Sequence, residues 1–386
     1  MKQLSVAYRP VLRLLAIVTF ILFQKVPGIS QNNSYPKGNL NKENLNVIQT
    51  AVPFLLIAPD PIGGAMGETG VARKADVFSM HWNPAKYAFL HGDSIPKILT
   101  ESDSTVYPKS KTKVGLSYVP YMTSITGSNM AYFVLSQKIK SSVLSLAVRY
   151  FRQGEIIMTD IQGQELGSFI PKEYAIDLSY AKKINLNLSF ALTGRFIHSN
   201  LSNNYVGGNK LKPANSFAAD FGLYWQKKVD WLPDKKTELA WGLNISNVGS
   251  KMSYLSSNNQ GAFLPTNLRL GPRLTIEVDS LKYLTLTIEI SKLLVPTPPI
   301  FKRDSLGNPI PIPGTNRYEI ASGMDNNVST FRGLFQSFYD APDGLSEELS
   351  EIILAFGFEF VTQKAFILRG GYHMESERKG NRKFFT

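Results

Sequence analysis

Alternation of apolar and polar residues with a period of two recurs along this chain and limits its fold more than any other feature. In residues 282–291, Leu284, Leu286 and Ile288 lie on one face of an extended chain, and polar residues lie on the other. Eleven segments show the pattern: 112–121, 129–139, 142–152, 173–183, 185–197, 216–228, 238–247, 267–278, 282–291, 351–361 and 364–374. Such segments are typical of strands in a transmembrane β-barrel, although a soluble β-sandwich also alternates.

The connections between these segments distinguish the two alternatives, because long and short connections follow each other in strict turn. The long ones are 122–128, 153–172, 199–215, 248–266 and 293–350, and the short ones are 140–141, 184–185, 229–236, 279–281 and 362–363. In up-and-down barrels, tight turns face the periplasm and long loops face outward. The sequence therefore predicts an all-β fold, an antiparallel transmembrane β-barrel over residues 111–386 with one large extracellular loop, 293–350.

Ten charged side chains fall on the polar faces of the predicted strands. An Arg or Lys that faces lipid at mid-depth costs about 2–4 kcal/mol, so we expect these side chains to face the lumen. They are Arg149, Asp177, Arg195, Asp220, Arg269, Arg273, Glu277, Glu289, Glu359 and Arg369. Because basic and acidic groups balance, we expect no strongly ion-selective pore, but charge pairs that either knit the interior together or line a plugged lumen.

Pro272 interrupts one of these strands. It marks either a bulge that opens the wall sideways or a strand near a rim that tolerates proline, and the sequence leaves both explanations open.

Residues 46–90 do not alternate. Pro53 interrupts the apolar run of residues 51–58, Pro59 and Pro61 end it, and glycines follow, so the segment is neither a strand nor a membrane-spanning helix. We expect residues 46–110 to form a hatch, or plug, at the short-turn end of the barrel. The apolar side chains expected to pack inside are Val52, Phe54, Leu55 and Leu56.

The first thirty residues are typical of a secretory signal. Lys2, Arg9 and Arg13 form a basic start, residues 14–23 are apolar except for one threonine, and small residues precede a cleavage point at Gln31. A membrane anchor is the alternative, which the short apolar core disfavours. Residues 31–45 are predicted to be a flexible lead. We expect the mature chain in the outer membrane of a Gram-negative cell.

The net charge is +12, and +8 once the four basic residues of the signal are removed. A basic exported protein either binds acidic partners, such as phosphorylated outer-membrane lipid, or carries solvated surface charge. Export argues against nucleic acid as a partner. The sequence has no cysteine, which excludes a disulfide framework and a lipoprotein attachment site.

Neither a catalytic site nor a cofactor or metal site is expected. The four histidines are scattered without ligand spacing, the glycine cluster at 63–70 lacks the lysine of a phosphate-binding loop, and no GxSxG motif occurs. An enzyme that modifies lipid A or O-antigen would need a catalytic Ser or Asp in the lumen.

The run IGGAMGETGVARKADVFSMHWNPAKYAF, residues 62–89, resembles the N-terminal hatch of FadL-type outer-membrane barrels, in which a Gly-rich stretch and an Asp precede a Trp/Tyr-Asn-Pro-Ala motif. The candidate hatch motif is Pro59, Asp60, Gly63, Gly64, Gly67, Trp82, Asn83 and Pro84. The resemblance implies a FadL-like barrel of fourteen strands with an N-terminal plug.

A narrower resemblance covers nearly the whole mature chain. The runs IQTAVPFLLIAPDPIGGAMG (48–67), RYFRQGEI (149–156) and GLFQSFYDAPDGLSEELSEI (333–352) resemble the PorV (LptO) family of the type IX secretion system of Bacteroidota. The resemblance implies a non-enzymatic component that binds the C-terminal signal domains of secreted cargo at a SprA/Sov-type translocon and shuttles cargo to a PorU-type attachment complex. A FadL-type channel for hydrophobic small molecules is the alternative.

The large extracellular loop, 293–350, is the expected place of partner contact. Prolines stiffen its first half, and its second half concentrates aromatic residues, which dominate binding hot spots. The candidate partner or cargo residues are Phe331, Leu334, Phe335, Phe338, Tyr339, Asp340 and Pro342. The alternative is that these side chains fold the loop back over the barrel mouth.

Only the start of a twelfth strand, within residues 379–386, follows the eleven segments, whereas the resemblance implies more strands. An unclosed barrel leaves backbone groups unsatisfied in lipid, at a cost on the order of several kcal/mol each. We therefore expect a truncated chain that does not assemble in a membrane. Closure with fewer strands is the alternative, and heat-modifiable migration of the 386-residue form on a gel would support it.

Overall fold

The computed structural model describes residues 45–90, 111–121, 127–160, 162–201, 205–206, 209–232, 235–255, 261–315, 317–363 and 365–386. The predicted signal, most of the predicted lead and the predicted end of the hatch, residues 91–110, lie outside the described residues.

Most of the described chain forms strands. In chain order they are β1 (Thr112–Pro120), β2 (Ser128–Ile139), β3 (Ser142–Gln153), β4 (Ile156–Thr159), β5 (Glu165–Phe169), β6 (Lys172–Lys183), β7 (Leu188–Asn200), β8 (Tyr205–Val206), β9 (Asn209–Lys210), β10 (Ala214–Leu232), β11 (Lys235–Gly249), β12 (Asn267–Asp279), β13 (Lys282–Leu293), β14 (Ile300–Phe301), β15 (Ile320–Ser322), β16 (Ile353–Thr362), β17 (Phe366–Met374) and β18 (Lys383–Phe385).

One antiparallel sheet of twelve strands joins β1, β2, β3, β6, β7, β10, β11, β12, β13, β16, β17 and β18 in that order. Each strand pairs with the next one of the sheet along the chain, and the three small hairpins lie in the long connections. The predicted antiparallel all-β architecture, its eleven long strands and the start of a twelfth are confirmed.

Many strands of this wall bury polar and small side chains and expose apolar ones, and the buried apolar side chains of the wall, such as Met130 and Phe151, pack in clusters with the hatch. In β13, Thr287 and Glu289 are buried, whereas Ile288 and Ile290 are exposed. Further exposed apolar side chains are Leu116, Leu178, Leu192, Phe217 and Phe366. An apolar outer face with a polar inner face is the pattern of a transmembrane barrel.

The hatch is built from short helical turns of three or four residues, and three of them begin with a proline. Its helices are α1 (Pro61–Gly64), α2 (Ser79–Trp82) and α3 (Tyr87–Leu90), with 3₁₀ turns at Pro53–Leu56 and Pro84–Lys86. Within the described residues no helix is long and apolar enough to cross a membrane.

The sheet wraps around the hatch, and glycines on the inner face mark where the two touch. A Cβ on Gly115 of β1 would lie 2.6 Å from Val77, and one on Gly242 of β11 would lie 2.1 Å from the carbonyl oxygen of Val71. A Cβ on Gly371 of β17 would lie 2.2 Å from the hatch backbone. The hatch therefore contacts the first strand of the sheet and strands near its far end.

The hatch runs along the full depth of the wall, in contrast to the expected position at the short-turn end. Phe54 and Leu55 are buried against Met130 and Phe151, near the rim that carries the long connections. Met80, Ala85 and Tyr87 pack in a second cluster with residues nearer the short turns, among them Val143, Ala181 and Ala191. The alternation pattern places a segment inside the wall but carries no information on its direction there, so the expected position was wrong for residues 51–57.

The connection between β13 and β16, residues 294–352, is called the outer loop below; its residue 316 is not described. It contains the β14–β15 hairpin and two helices, α4 (Thr330–Gln336) and α5 (Leu345–Ser350). The side chain of Ser329 caps α4 by accepting a hydrogen bond from the backbone N–H of Arg332.

Candidate functional site

The predicted hatch motif forms one buried cluster around Asp60 and Trp82. Asp60 caps α1 by accepting a hydrogen bond from the Gly63 N–H at 2.8 Å. Its carboxylate also accepts bonds from Trp82 Nε1 at 2.5 Å and from Arg73 at 3.1 Å. The indole is fully buried, and a Cβ on Gly63 or Gly70 would lie 2.3 or 2.0 Å from it. The glycines are therefore needed to seat this ring.

Glu289 of β13 ties this cluster to the wall. One carboxylate oxygen accepts hydrogen bonds from the backbone N–H groups of Gly70 and Val71, at 2.7 and 2.8 Å. The other accepts from Arg269 at 3.0 Å, and the Arg269 guanidinium lies 4.8 Å from the centre of the Trp82 ring. Hydrogen bonds to a charged acceptor are about twice as strong as neutral ones. The hatch is thus bound to the wall at mid-depth.

Two further side chains join hatch and wall through backbone carbonyls. Asn83 Nδ2 donates to Leu223 O of β10 at 2.8 Å and to Val71 O at 3.2 Å. Arg273 of β12 is fully buried, and its Nε donates to Ala72 O at 3.0 Å. The bonds to Val71 O and Ala72 O satisfy carbonyls of a segment that has no strand partner of its own.

Arg149 of β3 holds the half of the hatch that lies nearer the long connections. Its guanidinium donates to Leu55 O at 2.8 Å and to the ring nitrogen Nδ1 of His81 at 3.0 Å. The same group lies 5.1 Å from the centre of the Tyr132 ring. Carbonyls and aromatic rings contact this buried charge directly.

A buried charge cluster in the wall centres on Arg195 of β7. Its guanidinium pairs with Asp177 at 2.6 Å and with Asp220 at 3.0 Å, and all three side chains are buried. The backbone N–H of Asn247 donates to Asp220 at 2.7 Å. The β6, β7 and β10 strands are therefore joined by ion pairs in addition to their backbone ladders.

The ten predicted lumen charges divide into two groups. Seven are buried in the contacts above: Arg149, Asp177, Arg195, Asp220, Arg269, Arg273 and Glu289. The other three are partly exposed near the short turns, where Arg369 pairs with Glu359 at 2.7 Å and Glu277 lies 3.7 Å from Lys236.

The sequence reasoning missed the charges that the hatch itself contributes. Arg73 pairs with Asp60 and Asp76, the latter at 2.6 Å, and Lys86 Nζ donates to Gly70 O at 2.7 Å. Arg73 and Lys86 are both buried. Their position inside the run that resembles a hatch was the available signal, because charges in a segment predicted to be enclosed need partners there.

Pro272 does not shift the register of the wall. Leu270 pairs with Ile290 and Arg273 with Thr287, which is the same register on both sides of the proline. On its other side Pro272 stands opposite Trp241 of β11. The bulge explanation therefore finds no support in the strand pairing.

The candidate partner residues of the outer loop differ in exposure. Phe331 is 69% exposed, and Phe335, Phe338 and Tyr339 are exposed as well. The rings of Phe331 and Phe335 stack edge to face at 5.3 Å between centroids. These four residues are called the aromatic patch below. Leu334 and Pro342 are half-buried.

Asp340 is buried beneath the patch. Its carboxylate accepts hydrogen bonds from the Thr297 N–H at 3.2 Å and from Gln336 Nε2 at 3.3 Å. Burial, helped by the nearby Glu348 and Glu351, outweighs these two hydrogen bonds and raises the pKa of Asp340 to about 6.

A buried ion cluster fixes the base of the outer loop. Lys292 pairs with Glu348 at 3.0 Å and with Glu351 at 2.5 Å. Lys379 pairs with Glu351 at 2.9 Å and with Glu347 at 2.6 Å. Burial alone raises the pKa of Glu347, but hydrogen bonds from Lys379 and the Asp343 N–H outweigh it and lower that pKa. The patch is therefore presented on an anchored base.

Together, the hatch can fill the lumen, and the outer loop can present an apolar surface. Among the described residues, no group of three or more His, Cys, Asp or Glu side chains lies close enough to hold a metal ion.

Comparison with known proteins gives a family match. The family model described as Type IX secretion system protein PorV matches residues 40–98 and 100–300. No curated protein matches the chain. Among solved structures, the toluene transporter TbuX of Ralstonia pickettii aligns at 9% identity and a TM-score of 0.37, over 81% of this chain and 85% of that one. The toluene transporter TodX of Pseudomonas putida aligns at 9% identity and 0.38, over 81% and 82%.

Proposed function

Because the chain belongs to the PorV family of the type IX secretion system, we propose that it is a non-enzymatic component of that system in the outer membrane. In this proposal it binds the C-terminal signal domains of secreted cargo at a SprA/Sov-type translocon and passes cargo to a PorU-type attachment complex. The observation that carries the proposal is an exposed aromatic patch on an anchored loop, above a lumen filled by the hatch.

The apolar outer face of the wall supports the location. Leu116, Leu178 and Phe217 lie on that face and are exposed. In barrels of this type the short turns face the periplasm, which puts the outer loop on the cell surface. Cargo that has left a translocon would meet this loop first.

The aromatic patch supports the binding role. Exposed Phe and Tyr side chains are typical of interface hot spots, whereas an isolated soluble loop gains nothing from exposing four of them together. The ion cluster holds the loop in place before a partner arrives, which lowers the ordering cost of binding.

The filled lumen supports a carrier over the second candidate, a FadL-type channel for hydrophobic small molecules. A solute would have to displace a hatch that Glu289, Arg149 and Asn83 bind to the wall. Breaking several charge-assisted hydrogen bonds in a buried site is costly, since each one contributes about 1.5–3 kcal/mol.

The test is affinity purification of the tagged full-length protein from its own outer membrane. The double variant Phe331→Ala/Phe335→Ala should co-purify at least tenfold less translocon subunit or cargo, because hot-spot truncations cost about 2 kcal/mol or more. The matched control is Leu306→Ala, which removes an apolar side chain that is 84% exposed on the same loop outside the patch.

Equal recovery of partners with both variants would contradict the role of the patch. Deletion of the gene separates the two candidate functions. The proposal expects loss of surface-attached cargo, with signal domains left uncleaved. Failure to take up a hydrophobic nutrient with secretion intact would support the channel instead.

A further inference from the structure

The first described residues lie among the long connections. Asn46 Nδ2 donates hydrogen bonds to Pro298 O and to Glu347 Oε1, both at 3.0 Å, and the Asn46 N–H donates to Arg378 O at 3.2 Å. Pro298 and Glu347 belong to the outer loop, and Arg378 belongs to the connection between β17 and β18. Three bonds from one residue hold the chain at this rim.

The hatch then reaches the other rim, although it turns back on the way: Trp82 lies against Asp60, and His81 contacts the Arg149 guanidinium that also binds Leu55. The Ala51 N–H donates to Phe263 O, in the long connection between β11 and β12, at 2.8 Å. Ala72 accepts from Arg273 near the middle of β12. Phe89 lies 4.5 Å beneath the ammonium group of Lys183, at the short turn between β6 and β7.

The next strand continues from that second rim. Thr112 of β1 pairs with Gln137, close to the short turn between β2 and β3, and Pro120 pairs with Asn129 at the opposite end. The chain thus runs from one rim of the wall to the other as hatch, with a turn back before Trp82, and then forms the wall.

We infer that the hatch is threaded through the barrel from the outer face to the periplasmic face, so that residues 45–48, the rim segment, are displayed on the cell surface. The inference uses the assignment of long connections to the outside. Leu45 is 48% exposed, within reach of a reagent outside the cell.

The rim segment is part of the outer surface and not a loose end. Val47 and Ile48 line a cavity of about 240 Å³ together with Lys379 and Arg382. Glu347, which accepts from Asn46, is also paired with Lys379. A partner that binds the outer loop would therefore lie beside the first residues of the hatch. Asn46 connects these residues to the ion cluster at the base of the loop through Glu347.

Because the chain has no cysteine, single-cysteine labelling tests the inference directly. The full-length Leu45→Cys variant is produced in its own outer membrane, and intact cells are treated with a membrane-impermeant maleimide. Two variants calibrate the result: Leu306→Cys on the outer loop, and Leu281→Cys, 45% exposed in the turn between β12 and β13.

Leu45→Cys should label in intact cells at a rate within a few-fold of Leu306→Cys, while Leu281→Cys should label only after permeabilisation. Labelling of Leu45→Cys only after permeabilisation would overturn the inference, and so would labelling of Leu281→Cys in intact cells, because the sidedness would then be reversed.

A second variant guards against local disturbance at Leu45. Val47→Cys should label from outside as well, and addition of Asn46→Ala should speed that labelling several-fold by releasing the rim segment. Heat-modifiable migration of each variant shows that it has folded. Labelling reports on which side of the membrane a residue lies and not on secretion. A negative labelling result would therefore contradict the threading of the hatch without contradicting the role of the aromatic patch, which the co-purification experiment tests.

Discussion

The hatch and the outer loop are both held by buried ion pairs, yet they place their aromatic side chains in opposite environments. In the hatch, Trp82 is fully buried between glycines and the Arg269 guanidinium. In the outer loop, the ion pairs of Lys292 and Lys379 lie beneath α5, while Phe331 projects into solvent. Buried ion pairs therefore hold a segment with a buried aromatic side chain in one region and a segment with exposed aromatic side chains in the other.

The difference arises from what surrounds each segment. The inner face of the wall offers the hatch partners on several sides, and inner-face glycines such as Gly242 let backbone approach backbone. The outer loop has a base on one side only, so side chains on its far side stay exposed. A buried aromatic contributes to stability, and an exposed one is free to contribute to binding.

The largest expected effect is on the hatch. Trp82→Ala should lower the free energy of unfolding by about 3–5 kcal/mol, because it leaves a cavity and removes the donor to Asp60. Trp231→Ala is the matched control, since Trp231 is 61% exposed and should matter little. Urea unfolding followed by heat-modifiable migration measures both. Equal losses would show that Trp82 does not anchor the hatch.

The charge cluster of the wall should give the next effect. Arg195→Met leaves Asp177 and Asp220 buried without their cation and should cost about 3 kcal/mol in the same unfolding assay. Arg369→Met breaks a half-buried pair with Glu359 and should cost about 1 kcal/mol or less. Similar costs for the two variants would mean that burial does not distinguish these pairs.

The contact of hatch with wall can be tested with one methyl group. Gly242→Ala puts a Cβ 2.1 Å from Val71 O and should cost about 1–3 kcal/mol by forcing the hatch to move. Gly194→Ala has nothing within 4 Å of its new Cβ and is the control. Unfolding and the entry of a large antibiotic into cells measure the result. If the Gly242 variant were as stable as the control and admitted no more antibiotic, Val71 of the hatch would not lie against Gly242.

The smallest effect concerns the base of the outer loop. The pKa of Asp340 is about 6 in the fold and lower in an unfolded loop, so the folded loop binds its proton more tightly. Its contribution to stability is complete below about pH 4 and is lost as the pH rises through 6. Proteolysis of the outer loop should therefore quicken a few-fold between pH 5 and pH 7, measured at roughly constant protease activity.

Asp340→Asn keeps the shape of the side chain and removes its titration. We expect the pH dependence of loop cleavage to disappear in this variant, while cleavage of the hatch is unchanged in both proteins. An unaltered pH profile in Asp340→Asn would show that another group controls the loop.

Much of the wall was predictable because strands are indicated by a local pattern, the alternation of apolar and polar residues. Alternation in residues 282–291 predicted both the strand β13 and the inward position of Glu289. The oversized connection predicted the outer loop, whereas strand ends were less accurate: the segment predicted at 216–228 is the strand Ala214–Leu232. Each of these inferences needs only neighbours in the chain.

The partners of the charges were not predictable in this way. Glu289 accepts from Gly70, which is 219 positions away, and Asn46 donates to Glu347, 301 positions away. No local pattern indicates such pairs.

The sequence by itself determined that this chain forms strands with one apolar and one polar face, through period-two alternation, and the turn-by-turn order of long and short connections indicated antiparallel neighbours with the polar face inward. It also marked the hatch through its prolines, its glycines and Trp82. Only the tertiary structure decided the direction in which the hatch runs, which charges pair, and that Phe331 faces solvent. These depend on how distant segments fill one enclosed volume, which alternation within a single segment does not encode.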